Sequence, residues 1–178
     1  MRFELAPHPG TVPNPPFSLW ASAERSAAFG STATLNLWFG ISAPIGRFRV
    51  PLADHEPTRR DNLWQSTCFE CFLKEEGQDA YQEWNFAPSG DWAAYDFAAE
   101  REDMAPAEVT SPPYIRTEDN LTWWGLGATL SIPAEPRFTI ALSAVIEEQS
   151  GARHFFALHH PSDQPDFHHP DCFTARLA

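Results

Sequence analysis

The sequence predicts an all-β protein, namely a single-domain antiparallel β-sandwich with about ten strands and little helix. Most segments show apolar residues in period-two alternation, and the 17 prolines fall mainly between those segments. Alternation places every second side chain on one face of a strand, whereas proline interrupts strands. The aromatic share of 13% suits the packing of sheet faces. We assign residues 1–178 to one domain, because no repeat or linker divides the chain.

The strongest strand signals are segments in which every second residue is apolar, so that the residues of one parity (all odd or all even positions) are consistently apolar. Segments 34–41, 121–132 and 138–147 show this pattern most clearly. Their apolar parity predicts the face that packs in the core. Further candidate strands are 2–5, 45–50, 66–73, 81–86, 92–97, 113–117 and 153–159.

Three segments are predicted to lie outside the strands. Residues 7–17 contain five prolines, so we expect this segment to be extended and to contain no regular helix. Short helical turns are expected at residues 20–29 and 98–104.

The net charge of −12 restricts the partners that the protein can bind. Nucleic-acid affinity depends on Lys and Arg neutralising phosphates, so neither a nucleic acid nor an anionic membrane surface is an expected partner. The chain has no run of about 18 apolar residues that could form a transmembrane helix, and residues 1–9 do not resemble a signal peptide. We therefore expect a cytoplasmic protein.

The three cysteines argue against a disulfide framework, because an odd number cannot pair completely. Cys68 and Cys71 form a C-x-x-C motif within a segment that has the pattern of a strand. Residues three apart on a strand point to opposite faces, so the two thiols can neither chelate one metal nor pair easily. We predict buried, reduced cysteines rather than a redox or metal motif.

The clearest local unit is a β-hairpin in which runs 81–86 and 92–97 flank a Pro-Ser-Gly turn. The turn length places Glu83 opposite Tyr95. One face is apolar and is predicted to lie in the core: Trp84, Phe86, Trp92 and Ala94. The other face mixes polar and aromatic side chains: Tyr81, Glu83, Asn85, Ala93, Tyr95 and Phe97.

The mixed face of this hairpin is the candidate ligand-binding surface, since it is too polar to bury without partners and unusually aromatic for a solvent face. Acids and amides beside aromatic rings suit sugars and similar polyhydroxylated small molecules. The predicted site residues are Glu70, Glu83, Asn85 and Tyr95, with Trp38 or Trp123 at the edge of the concavity. In the alternative, the two glutamates form ion pairs that only stabilise the sandwich. The arginines available for such pairs are Arg59, Arg60 and Arg101.

These segments resemble those of a known group of binding domains. Residues 61–72, read as D-x-L-W…E-x-F, resemble a strand of DOMON-like domains, which are relatives of family 9 carbohydrate-binding modules. Residues 83–95 are similar to the E-x-N-x-x-P-S-G-x-W-x-A-Y signature of a bacterial branch of that group, and residues 165–168 to its C-terminal motif. The resemblance covers nearly the whole chain. It implies an immunoglobulin-like or jelly-roll-like β-sandwich that binds sugar or haem, and it supplies no enzyme activity.

The chain departs from this group in two ways. Many DOMON-like domains are secreted, whereas no signal peptide is recognised at residues 1–9. Haem-binding members use Met and His as axial ligands, and the one internal methionine is Met104, in a segment with the composition of a loop. Haem is therefore a lesser alternative, and no cofactor is predicted.

Histidines are concentrated near the C-terminus, where five of the seven lie between residues 154 and 169. In the alternative function, His159, Asp166 and His168 hold a divalent metal, in a metal-binding protein or a metal-dependent enzyme. The spacing matches no recognised ligand pattern, and no nucleophile or paired acid is visible for acid–base catalysis. We predict instead that His159, Asp166 and His168 organise a proline-rich closing turn, which Asp166 and His168 cap. We also predict that the protein is a non-catalytic module for carbohydrate or a similar small molecule.

Overall fold

A computed structural model describes residues 1–51 and 55–177, which leaves residues 52–54 and 178 of the predicted domain outside the described part. The described residues form strands and short 3-10 helices, and none of these helices is long and apolar enough to span a membrane. The strands are β1 (Arg2–Pro7), β2 (Leu19–Arg25), β3 (Thr32–Ile41), β4 (Cys68–Glu75), β5 (Tyr81–Phe86), β6 (Trp92–Phe97), β7 (Ala105–Pro106), β8 (Tyr114–Asp119), β9 (Trp124–Pro133), β10 (Phe138–Glu147), β11 (Arg153–Ala157) and β12 (Ala175–Leu177). The 3-10 helices are Pro9–Thr11, Ile45–Arg47, Leu63–Gln65 and Pro170–Cys172.

The strands form two antiparallel sheets that are joined by β1. The back sheet has the order β8-β9-β3-β2-β1, and the front sheet has the order β7-β6-β5-β4-β10-β11-β1. β1 takes part in both sheets, because residues 2–5 pair with β2 and residues 6–7 pair with β11. β12 pairs with residues 138–140 of β10, whereas β11 pairs with residues 143–147. This architecture confirms the predicted β-sandwich.

The two sheets enclose one core of apolar side chains. The apolar parity of β3, β9 and β10 is buried there, as the alternation predicts. Aromatic rings join the sheets, since the ring centroids of Phe39 and Phe69 are 5.1 Å apart and those of Phe69 and Trp124 are 5.7 Å apart. Burying each large apolar side chain contributes about 1.5–3 kcal/mol to stability.

The central hairpin forms in the predicted register. β5 and β6 place Glu83 opposite Tyr95 and Phe86 opposite Trp92. The turn between them is closed by a hydrogen bond from the Gly90 amide to the Ala87 carbonyl, and Gly90 has a φ of 90°, a conformation that favours glycine. The predicted core face is buried between the sheets: Trp84, Phe86, Trp92 and Ala94.

The two cysteines of the C-x-x-C motif point to opposite faces of β4, as predicted. Cys71 packs in the core between the sheets, whereas the Cys68 thiol lies on the other face and donates to Asn85 Oδ1 at 3.5 Å. Both are free and buried, and so is Cys172. Burial raises the pKa of Cys68 and of Cys71, so both stay as thiols at neutral pH.

Segment 20–29, predicted as a helical turn, belongs mainly to strand β2. Its burial alternates from Leu19 through Ala21 to Ala23. Alanine is small and forms helices readily, so the alternation is weak when only the sequence is read. The short strands β7 and β12 were also not predicted, because strands of two or three residues carry almost no periodicity.

Two further segments differ from their predictions. Segment 45–50, predicted as a strand, forms the 3-10 helix Ile45–Arg47 and then a single bridge from Phe48. Segment 98–104, predicted as a helical turn, is a tight turn with left-handed residues at Arg101 and Asp103, where φ is 56° and 51°. A right-handed helix excludes such values.

Candidate ligand-binding site

A cavity of about 690 Å³ lies on the outer face of the front sheet. Its floor is formed by side chains of the front-sheet strands that point away from the core, and loop segments form its walls. This volume is typical of small-ligand pockets, which span about 300–1,000 Å³. The lining residues are Asp61, Asn62, Trp64, Glu70, Glu83, Tyr95, Phe97, Arg101, Met104, Pro106, Val145, Phe155, Pro165, Phe167 and His168.

Two buried glutamates lie at the floor of the cavity. Glu70 on β4 and Glu83 on β5 expose only 3% and 7% of their surface. The Ser143 hydroxyl donates to Glu70 Oε2 at 2.8 Å, and the Asn85 amide donates to Glu83 Oε1 at 2.6 Å. Each carboxyl group therefore has one oxygen fixed by the protein and a second oxygen that these bonds do not use.

Burial makes this acid pair hold protons more tightly than free carboxyl groups do. Burial, together with the negative charge of Glu83, raises the pKa of Glu70 to about 8. Burial also raises the pKa of Glu83, although the hydrogen bond from Asn85 and the charge of Arg101 oppose the shift. Two neighbouring buried carboxylates cannot both ionise cheaply, so the pair carries at least one proton near neutral pH. The floor can then both donate and accept hydrogen bonds.

One wall of the cavity is formed by the segment around the 3-10 helix Leu63–Gln65. The Tyr95 hydroxyl donates to Asp61 Oδ1 at 2.6 Å and so joins this segment to β6. Burial, with the carboxylate of Asp61, raises the pKa of Tyr95, so the phenol keeps its proton. Next to this contact, Trp64 exposes 50% of its surface and lines the cavity. An exposed indole held on a fixed segment provides a flat apolar wall.

The chain just before this wall is held by a buried aspartate in the hairpin turn. The Thr58 amide donates to Asp91 Oδ1 at 3.0 Å, and His55 Nε2 lies 2.9 Å from the same oxygen. Although burial opposes ionisation of Asp91, these hydrogen bonds leave its pKa lowered. Arg59 Nη1 donates to the Ala107 carbonyl at 2.8 Å. The wall is therefore anchored before the cavity is filled.

The C-terminal segment forms another wall of the cavity through His168. Its Nδ1 lies 2.7 Å from the Tyr81 hydroxyl, and its Nε2 lies 3.6 Å from Glu83 Oε2. Asp166 positions this residue, because its Oδ1 accepts the His168 amide at 3.1 Å and an Arg101 nitrogen at 2.8 Å. The predicted role of Asp166 in capping the closing turn is confirmed, and the turn covers the outer face of the front sheet.

The imidazole of His168 is neutral at physiological pH. Burial, with the positive charge of Arg101, lowers its pKa to about 4 despite the opposing charge of Asp166. The Tyr81 hydroxyl accepts the Arg101 amide at 3.2 Å, and burial raises the pKa of Tyr81, so this hydroxyl keeps a proton to donate to Nδ1. The ring proton then belongs on Nε2, which faces Glu83 and the cavity.

The structure brings some of the predicted site residues together and separates others. Glu70, Glu83 and Tyr95 line one cavity. Asn85 is buried behind them and supports Glu83. The placement of Trp38 and Trp123 at the edge of this cavity is wrong, because both lie on the outer face of the back sheet. Alternation tells which parity of a strand faces outward, but it does not tell to which sheet the strand belongs.

Several lining residues were not predicted from the sequence as parts of a site. Trp64 had a usable signal, since it is a large apolar residue in a polar segment outside any regular alternation. Phe97 lies on the predicted mixed face of the hairpin, and the other residues that were not predicted reach the cavity only through tertiary structure: Asp61, Asn62, Arg101, Met104, Pro106, Val145, Phe155, Pro165 and Phe167. His168 was predicted as a capping residue or as a metal ligand, but not as a neighbour of Glu83.

The predicted alternative in which the two glutamates pair with an arginine is wrong. Within residues 1–51 and 55–177, no arginine lies within 4.0 Å of either carboxyl group; Arg59 donates to carbonyl groups, Arg60 lies 3.4 Å from Asp91, and Arg101 pairs with Asp166. The glutamates thus have hydrogen bonds in place of ion pairs.

The described residues do not offer a metal or haem a suitable set of ligands. No group of three His, Cys, Asp or Glu side chains among them could hold a metal ion. Asp166 is occupied by Arg101, and His159 meets its neighbour Cys172 through its backbone carbonyl. Met104 and His168 both line the cavity, but both His168 nitrogens already face Tyr81 and Glu83. Met104 and His168 are therefore poorly suited to act as the axial ligands of a haem iron.

Comparison with known proteins gives two similar structures. No family model matches the chain, and no curated protein sequence matches it. A candidate carbohydrate-binding protein from Bacteroides uniformis superposes with a TM-score of 0.61 at 15% identity, over 99% of this chain and 85% of that one. A family 9 carbohydrate-binding module from Caldicellulosiruptor kristjanssonii, in complex with glucose, superposes with a TM-score of 0.51 at 9% identity, over 90% of this chain and 75% of that one. The chain therefore shares the β-sandwich fold of a family 9 carbohydrate-binding module.

Proposed function

We propose that the protein is a non-catalytic binding module whose front-sheet cavity holds a carbohydrate or a similar polyhydroxylated small molecule. The observation that carries this proposal is the pair of buried carboxyl groups, Glu70 and Glu83, at the floor of a cavity with aromatic walls. The cavity is large enough for a sugar, and its preformed walls reduce the ordering cost of binding. No resident metal or cofactor is part of the proposal.

The cavity chemistry matches the two sides of a sugar ring. Sugar hydroxyls both donate and accept hydrogen bonds, and an acid pair that shares a proton can meet both needs. The Nε2–H of His168 adds a neutral donor. Trp64 offers an exposed apolar face to the C–H side of the ring.

Two further observations support the proposal. One structural neighbour is described as a candidate carbohydrate-binding protein, and the other contains bound glucose. Residues that carry the resemblance to DOMON-like domains fall at this cavity, namely Trp64 and Glu70 of the D-x-L-W…E-x-F run and Glu83 of the signature of the bacterial branch. We propose membership of that branch on the same ground. A cytoplasmic location also remains a proposal, favoured by three cysteines that are all free.

The proposal is tested by a glycan array followed by calorimetric titration of the best saccharide. We expect a dissociation constant in the roughly micromolar to millimolar range. Trp64→Ala and Glu83→Gln should each weaken binding about tenfold or more, because each removes a contact at the centre of the site. Glu75→Gln is the matched control, since Glu75 is an exposed carboxylate at the end of β4.

Three outcomes would contradict this proposal. The first is that no saccharide binds. The second is that the two cavity variants bind as tightly as the Glu75→Gln control, which would place the site elsewhere. The third is that the purified protein hydrolyses the saccharide it binds, which would make the acid pair catalytic.

A further inference from the structure

The outer face of the back sheet carries a cluster of tryptophans that the cavity does not use. We call Trp20 on β2, Trp38 on β3 and Trp123, which directly precedes β9, the back-sheet cluster. These three rings border an open cleft of about 420 Å³ that also contains Gly40. The ring centroids of Trp38 and Trp123 are 6.3 Å apart at an interplanar angle of 70°. The cleft is thus open and bordered by indoles, two of which are set at an angle to each other.

Glycines beneath the rings make this arrangement possible. Gly40 pairs directly with Trp20, and a Cβ at Gly40 would lie 2.5 Å from the Trp20 ring. A Cβ at Gly125 would lie 2.8 Å from the Trp38 ring, and one at Gly127 would lie 3.0 Å from it. Both Trp20 and Trp38 therefore lie down over bare backbone instead of standing away from the sheet. Any larger residue at Gly40 would displace the Trp20 ring, and one at Gly125 would meet both the Phe39 carbonyl oxygen and the Trp38 ring.

The indole N–H groups of the back-sheet cluster remain available for a ligand. Within the part of the chain that the structure describes, none of the three donates to a protein acceptor, whereas the indole of Trp84 donates to Gln82. Trp123 also exposes 36% of its surface. Apolar ring surface with unused donors at its margin suits a ligand that has both C–H faces and hydroxyl oxygens.

A polar groove continues the cleft along the same face. This groove has a volume of about 220 Å³, shares Trp38 with the cleft, and is lined by Glu24, Asn36, Tyr114 and Arg116 among others. The Arg116 guanidinium carbon lies 5.4 Å from the Trp38 ring centroid. Carboxylate, amide and guanidinium groups can all hydrogen-bond hydroxyls. Rings and polar groups therefore follow each other over a shallow path.

We propose that the back-sheet cluster and its polar groove form a second binding site, for the body of an extended, neutral polysaccharide chain. An open, shallow path suits a chain that runs past the surface, whereas the front-sheet cavity suits one small ligand. The groove has both a carboxylate and a guanidinium group, and the whole protein carries a charge of −12, so a polyanionic chain is disfavoured. This site lies on the opposite sheet and does not depend on the function proposed for the cavity.

The test is native affinity electrophoresis of the full chain in gels that contain mixed-linkage β-glucan, xylan or galactomannan. We expect at least one polysaccharide to retard the wild-type protein. Trp123→Ala should reduce the apparent affinity about tenfold, as expected for a tryptophan at the centre of a contact. Leu121→Ala is the matched control, because Leu121 is another large apolar residue in the same loop, is 92% exposed, and does not line the cleft.

A second pair of measurements separates this site from the cavity. Trp123→Ala should leave the calorimetric affinity for a small saccharide unchanged, and Trp64→Ala should leave the retardation by polysaccharide unchanged. Thermal melting of each variant shows that it is folded; Trp123 is exposed enough that the melting temperature should change little.

The proposal is overturned if no polysaccharide retards the wild type, or if Trp123→Ala migrates like Leu121→Ala. It is also overturned if Trp123→Ala instead abolishes binding to phosphatidylcholine vesicles, which would indicate a membrane surface. A Trp123-dependent dimer in size-exclusion chromatography would overturn it as well, because the cluster would then be a contact between two copies.

Discussion

Glu83 on the cavity floor and His168 on the cavity wall are direct neighbours, with Glu83 Oε2 3.6 Å from His168 Nε2. Glu83 lies on β5, whereas His168 lies on the C-terminal segment. Because burial lowers the pKa of His168 and raises that of Glu83, this contact joins a neutral ring to a weakly acidic group, and it is not a strong ion pair. The geometry of the floor therefore depends on the C-terminal segment staying in place.

Glu70→Gln should make the protein more stable than wild type at pH 8, while at pH 5 the two should be similar. The folded-state pKa of Glu70 is raised from 4.5 to about 8, so between these values the native state binds more protons than the unfolded state. The stability of the wild type therefore falls as pH rises through this window, and the glutamine variant loses that dependence. We expect the difference between variant and wild type to change by roughly 2–4 kcal/mol from pH 5 to pH 8.

This prediction is checked by urea denaturation at several pH values. Glu75→Gln should follow the wild-type profile, since Glu75 is exposed. Parallel pH profiles for Glu70→Gln and the wild type would show that the carboxyl group of Glu70 titrates normally.

His168→Ala should lower the melting temperature by about 4–8 °C, because it removes the Tyr81 hydrogen bond and packing against Phe72 and Phe97. The decrease should be the same with and without a chelator. A chelator that destabilises the wild type but not the variant would reveal a bound metal, since ligand binding to the native state is stabilising.

The contribution of His168 to the stability of the wild-type protein also depends on pH. Burial lowers its folded-state pKa to about 4, below the ordinary histidine value of 6.5, so the native state binds fewer protons between these values than the unfolded state does. The stability gained from His168 is therefore lost as pH falls from about 6.5 to 4. Wild type and His168→Ala should converge in this range, and melting curves at pH 7 and pH 5 measure the convergence.

Trp84→Ala should cost about 3–5 kcal/mol of unfolding free energy, because Trp84 is a large aromatic side chain packed in the core. Trp64→Ala should cost less than about 1 kcal/mol, because Trp64 lies half exposed on the cavity wall. Guanidinium denaturation monitored by circular dichroism measures both. A loss below 1 kcal/mol for Trp84→Ala would mean that the hairpin faces are reversed.

Tyr95→Phe should weaken saccharide binding several-fold while changing stability by about 1 kcal/mol. The substitution removes the hydrogen bond to Asp61 and keeps the ring, so it loosens the wall that carries Trp64. Calorimetry on this variant and on Ser31→Ala gives the comparison, since Ser31 is exposed in the turn before β3 and lines neither the cavity nor the back-sheet cleft and groove. Equal affinities for both variants would show that the wall is held by other contacts.

The central hairpin shows what could be predicted from the sequence. Strict alternation and a Pro-Ser-Gly turn fix both the register and the faces of β5 and β6, so Glu83, Tyr95 and Trp84 were placed correctly. Local patterns suffice here because cross-strand neighbours in a hairpin are close in sequence.

Relationships between distant segments could not be predicted in this way. Trp38 alternates as clearly as Trp84, but its strand belongs to the back sheet, and strand order is not encoded in the period of one strand. The approach of His168 to Glu83 depends on the path of the C-terminal segment over the front sheet. The left-handed conformation of Arg101 could not be predicted either, because no local signal marks a non-glycine residue with positive φ.

The sharing of β1 between both sheets has a consequence for self-association. Because β1 continues from one sheet into the other, the path of hydrogen-bonded strands passes through it and ends at β7 and β8. Exposed strand edges are templates for intermolecular pairing and aggregation. Strand β7 is only two residues long and ends in Pro106, while β8 carries charged side chains, including Arg116 and Glu118. Both ends are therefore poor templates, which protects a protein with so many aromatic residues from polymerising through its sheets.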